Sequence, residues 1–190
     1  MKRSVILNII FGPSVLYNKI LFRLRKVRYG RNVKLFGRIS YLRSGRLILG
    51  DNVMIQSCRY ANPLGDRTVF EICNGAVMEV GNNVGISAST FKAFERITIE
   101  DDVNIGAGCL FMDTDSHPLK YEDRINGCGN AVRTAPITVK KGAFIGARSI
   151  VLKGAVIGEG SVIGAGSVVA GSVPDGEIWA GNPAVFIRKI

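Results

Sequence analysis

One imidazole dominates the chemical inventory of this chain. His117 is the only histidine among 190 residues, and it stands in the segment DTDSHPL, residues 113–119. Imidazole titrates near neutral pH, so it can take a proton from a hydroxyl and return one to a leaving group. Asp113 and Asp115 flank it. Either carboxylate would hold the ring and stabilise its charged form, or bond a substrate hydroxyl. Pro118 restricts the backbone on both sides of its own peptide bond. Cys58, Cys73, Cys109 and Cys128 show no CxxC or other metal-ligand spacing. They read as free thiols of a reducing compartment. A single histidine also argues against a zinc site built from several imidazoles, so no metal is expected.

The elements that must position His117 follow from a repeat. From Val139 to Val173 the chain reads VKKGAF, IGARSI, VLKGAV, IGEGSV, IGAGSV, VAGSVP. The first place of each six is aliphatic: Val139, Ile145, Val151, Ile157, Ile163 and Val169. The fifth is small in all but the last: Ala143, Ser149, Ala155, Ser161 and Ser167, then Val173. A period of six fits neither an amphipathic helix nor one alternating strand. It predicts an all-β parallel β-helix, in which every sixth side chain points inward and each coil buries its neighbour's interior. Phe144, Ile150, Val156, Val162 and Val168 then point outward, and that much apolar surface predicts self-association.

The same spacing appears less regularly from Arg31. Gly-Asp-Asn at 50–52 and Gly-Asn-Asn at 81–83 are turn signals. From Ile55 to Val80 the interval predicts a wide loop through Ala61–Asp66. The 19 residues from Val80 to Ile99 predict one extra residue beyond a coil of eighteen. From Phe111 to Val139 the interval is too long for one coil, so about 113–135 must leave the solenoid as an extruded loop. Long loops in compact domains are usually functional, and this one carries His117.

The histidine loop, the hexapeptide run and the closing AGNPAVFIRKI together resemble the left-handed β-helix O-acetyltransferases. The closest branch is the galactoside/maltose acetyltransferase type and its relatives in polysaccharide biosynthesis. The resemblance covers residues 31–190. It implies a left-handed coil, a homotrimer with active sites in grooves between subunits, and acetyl-CoA as donor. His117 would deprotonate the hydroxyl of a sugar or cell-surface polysaccharide precursor. Ala147 and Ala165 would line the track for the pantetheine arm, and Arg188 would meet the CoA phosphates. An acceptor contact falls one coil before the histidine, at Ser87 or Ser89. Alternatives are N-acetylation of an amino-sugar nucleotide or other small acceptor, and a non-catalytic scaffold.

Charge divides the chain into a basic N-terminal segment (1–30), a solenoid (31–173) and a tail (174–190). Residues 1–31 hold eight of the basic side chains and no acid, while the whole chain is +10. Leu16, Ile20, Leu24 and Val27 fall near one helical face and Lys19, Arg23 and Lys26 near another. This predicts an amphipathic helix entered at Pro13. It would either pack across the end of the solenoid or touch an anionic membrane surface. No nucleic-acid motif accompanies the charge, so no nucleic-acid partner is expected. The expected location is cytoplasmic, possible contact being with the inner face of the cell membrane.

Overall fold

Three parallel sheets form the sides of a coil. The computed structural model describes residues 3–58, 67–127 and 131–190, with side chains described from Gly12 onward. The expected loop through Ala61–Asp66 and Cys128 thus fall outside the described residues. Sheet A has seven strands, running from Arg28–Tyr29 to Ser172–Val173. Sheet B has eight, beginning at Lys34–Phe36, and sheet C six, beginning at Ser40–Leu42. Strands of one sheet come from successive coils, so neighbours in space are far apart in sequence.

The first-place residues fill the interior. Val139 and Ile157 pair in sheet A, Ile145 and Ile163 in sheet B, Val151 and Val169 in sheet C. All six are buried. Three sixes therefore make one coil. The fifth places are buried at the corners, where Ser149 and Ser167 turn their hydroxyls onto the carbonyls of Gly146 and Gly164. Small size and a local acceptor are both needed there, because a corner has no room and leaves carbonyls outside the ladders. Glycine at 146 is set by contact between coils. A Cβ on it would lie 2.5 Å from the backbone nitrogen of Ala165.

Sheet C carries the largest interior groups. Phe70, Phe91 and Phe111 stack, with ring centroids 5.4 and 4.9 Å apart. The corner between sheets A and B is stitched by amides. Asn32, Asn52, Asn83 and Asp102 all adopt positive φ, which Asn and Asp tolerate. Their side chains hydrogen-bond in sequence at 2.9–3.0 Å. The turn signals at 50–52 and 81–83 belong to this ladder. The irregular coil from Val80 to Ile99 distributes its extra length unevenly. Its corner between sheets B and C is a residue short from Ile86 to Phe91. The corner at Phe94–Glu95 is wider, and accommodates a carboxylate described below.

The helix α1 spans Arg3–Leu24. It does not begin at Pro13, which lies inside it. Nor does it pack by the stripe Leu16, Ile20 and Leu24, all of which are exposed. Asn18 and Phe22 face the solenoid instead. The Asn18 amide donates to Gly37 O at 2.8 Å and its carbonyl accepts from Ile39 N at 3.0 Å. Phe22 and Val27 plug the first coil and join the core. Val27 lies beyond the helix. A solenoid end exposes apolar interior and needs such a cap. The parallel ladder begins at Arg28 and extends to Glu177–Ala180, so coil geometry exceeds 31–173 at both ends. Val185–Lys189 then folds back antiparallel on that last strand.

Of the outward apolar places, Phe144 and Val162 stack on sheet B, Ile150 and Val168 on sheet C, and Val156 lies on sheet A. They form separate patches on three faces, because consecutive sixes occupy consecutive sides.

Candidate functional site

The chain leaves the solenoid after Leu110–Met112 of sheet C and returns at Ile137–Val139 of sheet A. The neck between is closed by backbone bonds. Asp115 N donates to Arg133 O, and Ala135 N donates to Asp113 O, each at 3.0 Å. Inside the loop, Arg124 donates to the carbonyls of Pro118 and Leu119. It comes from the short helix α2, Tyr121–Ile125. His117 is thus on a pinned loop, with its own side chain exposed.

The two flanking carboxylates have different environments. Asp113 is fully buried and accepts the backbone N–H of Phe94, Glu95 and Arg96 at 2.7–2.8 Å. Burial nonetheless pushes its carboxyl above the usual range. Both oxygens are committed, so Asp113 is a clamp on the wide corner and touches neither His117 nor solvent. The expectation that it orients the imidazole gives way to this geometry. Asp115 differs: Lys153 of the following coil lies 3.2 Å from its Oδ1, while its Oδ2 is buried with no hydrogen-bond partner among the described residues. Lys92 donates to Ser116 Oγ at 3.1 Å. Lys153 and Lys92 were not singled out in the sequence. The signal was available for Lys153, since Leu152 pairs with Met112 and places the next residue beside the neck.

Ser89 is excluded as an acceptor contact. It is buried, donates to the carbonyls of Ser87 and Gly106, and accepts from Cys109 N. It is a corner serine like Ser149. Ser87 is partly exposed and, with Gln56, Asn104 and Phe144, lines a groove of about 460 Å³ on the outside of sheet B. Ala147 and Ala165 stack along the corner between sheets B and C, and Gly166 N bonds to Ala147 O. Arg188 lies exposed on the last strand, opposite Ile178.

These positions fall on two edges. Ser87, Ala147 and Ala165 share the corner between sheets B and C. His117 leaves from the corner between sheets C and A. Within one coil the sheet C strand Thr90–Ala93 separates the two corners, a span of about 13 Å at the usual rise per residue. One chain therefore anchors the His117 loop at one corner and carries Ala147 and Ala165 at the other.

The bacterial transferase hexapeptide family (six repeats) matches residues 136–171, and the hexapeptide repeat of succinyl-transferase matches residues 96–111. Both matches lie within the three-sheet coil, whose strands repeat in the pattern of a hexapeptide β-helix. This hexapeptide protein is similar to AntD, an N-acyltransferase from Bacillus cereus solved with dTDP and coenzyme A. The identity is 26%, the TM-score 0.70, and 88% of each chain is covered. It is also similar to a galactoside acetyltransferase in complex with coenzyme A, at 28% identity and TM-score 0.57, covering 72% of this chain and 64% of that one. A curated relative is gamma carbonic anhydrase 2, mitochondrial, of Arabidopsis thaliana, 42% identical over 189 residues. That match covers 95% of this chain but 52% of the relative, so the hexapeptide protein spans about half its length.

Proposed function

We propose that this protein transfers an acetyl group from acetyl-CoA to a hydroxyl of a sugar or cell-surface polysaccharide precursor, with His117 as general base. The observation that carries the reading is the sole histidine on a pinned loop, in a coil whose solved relatives hold coenzyme A. His117 would accept the hydroxyl proton as the oxygen attacks the thioester carbonyl. The tetrahedral intermediate would then collapse, breaking the C–S bond, and the imidazolium would protonate the leaving thiolate. Such catalysis is worth about 10²–10⁴ in rate. Asp115 would act as a positioning group, its Oδ2 being a buried carboxylate oxygen two residues from His117 with no hydrogen-bond partner among the described residues. The thioester arm would run along Ala147 and Ala165 toward Arg188.

The departure of the His117 loop from a different corner than Ala147 and Ala165 supports a site shared between copies, as in the homotrimer implied by the resemblance. Likeness to AntD supports a second reading, N-acylation of a nucleotide-linked amino sugar. Carbonic anhydrase chemistry has less support. A catalytic zinc takes three protein ligands, commonly several histidines. This chain has one histidine, and among the described residues no group of three His, Cys, Asp or Glu side chains converges.

The test is acetyl transfer from labelled acetyl-CoA to a panel of sugars, amino-sugar nucleotides and lipid-linked glycans. Label on oxygen that is lost in His117→Ala supports the reading. Label on nitrogen selects the second reading. Transfer undiminished in His117→Ala overturns the mechanism.

A further inference from the structure

We propose that the outer face of α1 docks on an anionic lipid bilayer. The inner face is committed to the solenoid through Asn18 and Phe22. The opposite face carries Leu16, Ile20 and Leu24, spaced four apart and 62, 53 and 75% exposed. Three large aliphatic groups aligned toward water make a continuous apolar stripe. Lys19 and Arg23 flank the stripe, and Lys26 and Arg28 follow the helix, all four exposed. Arg25 is otherwise engaged, bonded to Arg43 O and set over the Tyr41 ring, and Arg31 is paired with Asp51.

An apolar stripe edged by cations fits the boundary between acyl chains and anionic headgroups, with the lysine and arginine stems reaching back to the phosphates. A second copy fits less well. A symmetric contact would set one acid-free segment with eight cations against an identical one. No helix among the described residues is long and apolar enough to cross a membrane, so α1 would lie in the surface plane. Its position agrees. The strands it covers, Arg28–Tyr29, Lys34–Phe36 and Ser40–Leu42, are the end strands of all three sheets. The docking face therefore looks along the coil axis, away from the rest of the stack. The strand preceding His117 lies three strands from that end, which with the helix diameter puts the loop roughly 25 Å from the bilayer. That height suits an acceptor anchored in the membrane. This corollary rests on the acyl-transfer reading; the docking does not.

Sedimentation of the full chain with phosphatidylcholine vesicles, with and without phosphatidylglycerol, tests the surface. We expect binding only to the anionic vesicles, weakened by salt. Lys19→Glu/Arg23→Glu should weaken it about 25-fold or more, two cations at about fivefold each. Leu16→Asp/Ile20→Asp should abolish it. All four side chains are exposed, and circular dichroism verifies folding of both variants. Absence of wild-type binding overturns the proposal, as does binding unchanged in both variants. So does a fall in solution mass of Leu16→Asp/Ile20→Asp, which would make a second copy the occupant. Transfer of acetyl to a water-soluble acceptor, measured alongside, stays at wild-type rate in either variant if catalysis and docking are separate.

Discussion

The Lys153 ammonium lies 3.2 Å from Asp115 Oδ1 and joins the neck of the His117 loop to the coil that follows it. Both side chains are largely shielded, so the pair is less screened than a surface ion pair. Lys153→Met would leave the Asp115 carboxylate without its only side-chain partner among the described residues. We expect about 1–3 kcal/mol of lost stability. The larger effect should be on kcat, a fall of about 10²-fold, the usual consequence of a displacement near 1 Å at a reacting group. KM for acetyl-CoA should stay near wild type, because the proposed track along Ala147 and Ala165 is on another corner. Lys153→Arg should recover much of the loss. A variant with wild-type kcat would show that the neck bonds alone hold the loop.

If the His117 loop of one copy meets Ala147 and Ala165 of another, as proposed, variants should complement between copies. Neither His117→Ala nor Ala165→Trp homo-oligomers should transfer acetyl groups. The first would lack the proposed base and the second would block the proposed track. Unfolded together and refolded as a mixture, they should regain activity, since some grooves would combine an intact loop with an intact corner. Refolding each alone is the control. No recovery in a mixture shown by native mass spectrometry to contain both chains would place the whole site within one copy.

The coil was legible because its constraint is local and periodic. Every residue of the set Val139, Ile145, Val151, Ile157, Ile163 and Val169 is buried, as a six-residue period requires. The His117 loop was legible as an excess of length between Phe111 and Val139. What escaped the sequence was hydrogen bonding across coils. Asp113 and Asp115 are two residues apart and chemically identical. One faces three backbone N–H groups of the previous coil, the other a lysine of the next. Ser87 and Ser89 differ in the same way. Such roles depend on register between coils, and the widened corner at Phe94–Glu95 shifts that register by amounts no local pattern reports. The packing face of α1 was not legible either. Its apolar residues lie on two faces, and a polar residue, Asn18, makes the anchoring contact.

Acid should destabilise the fold through its corners. Backbone N–H groups hold the carboxyls of Asp51, Asp101 and Asp175 below their usual range, the donors being Arg31, Asn82 and Glu159. A carboxyl depressed in the folded state adds stability above its unfolded pKa, near 3.9, and that stability is lost as pH falls through the folded value. Asp113 has the opposite sign. Burial raises its carboxyl, so its contribution is fully present below the unfolded pKa and is lost as pH rises through the folded one. Urea midpoints between neutral pH and pH 3 should therefore decline, and Asp51→Asn/Asp101→Asn/Asp175→Asn should flatten the decline. Asp113→Asn, compared with its own value at neutral pH, should steepen it. An unchanged slope in the triple variant would refute the assignment.

The stack of Phe70, Phe91 and Phe111 predicts where the solenoid is most sensitive. Phe91 is the middle ring, fully buried, with a neighbour on each side at 5.4 and 4.9 Å. Phe91→Ala removes both ring contacts and leaves a cavity that neighbouring coils cannot fill without breaking their ladders. The cost should be about 3–5 kcal/mol, or roughly 6–20 °C in Tm for a chain of this size. Val169→Ala, in the last strand of the same column, deletes two methyl groups without removing a ring contact and should cost about 2 kcal/mol. In a solenoid each coil is stabilised chiefly by the next. Phe91→Ala should therefore also broaden the unfolding transition, as the coils before and after it lose their coupling. Calorimetry on both variants checks the prediction, and equal, sharp transitions would mean that stability is shared across the whole stack rather than passed from coil to coil.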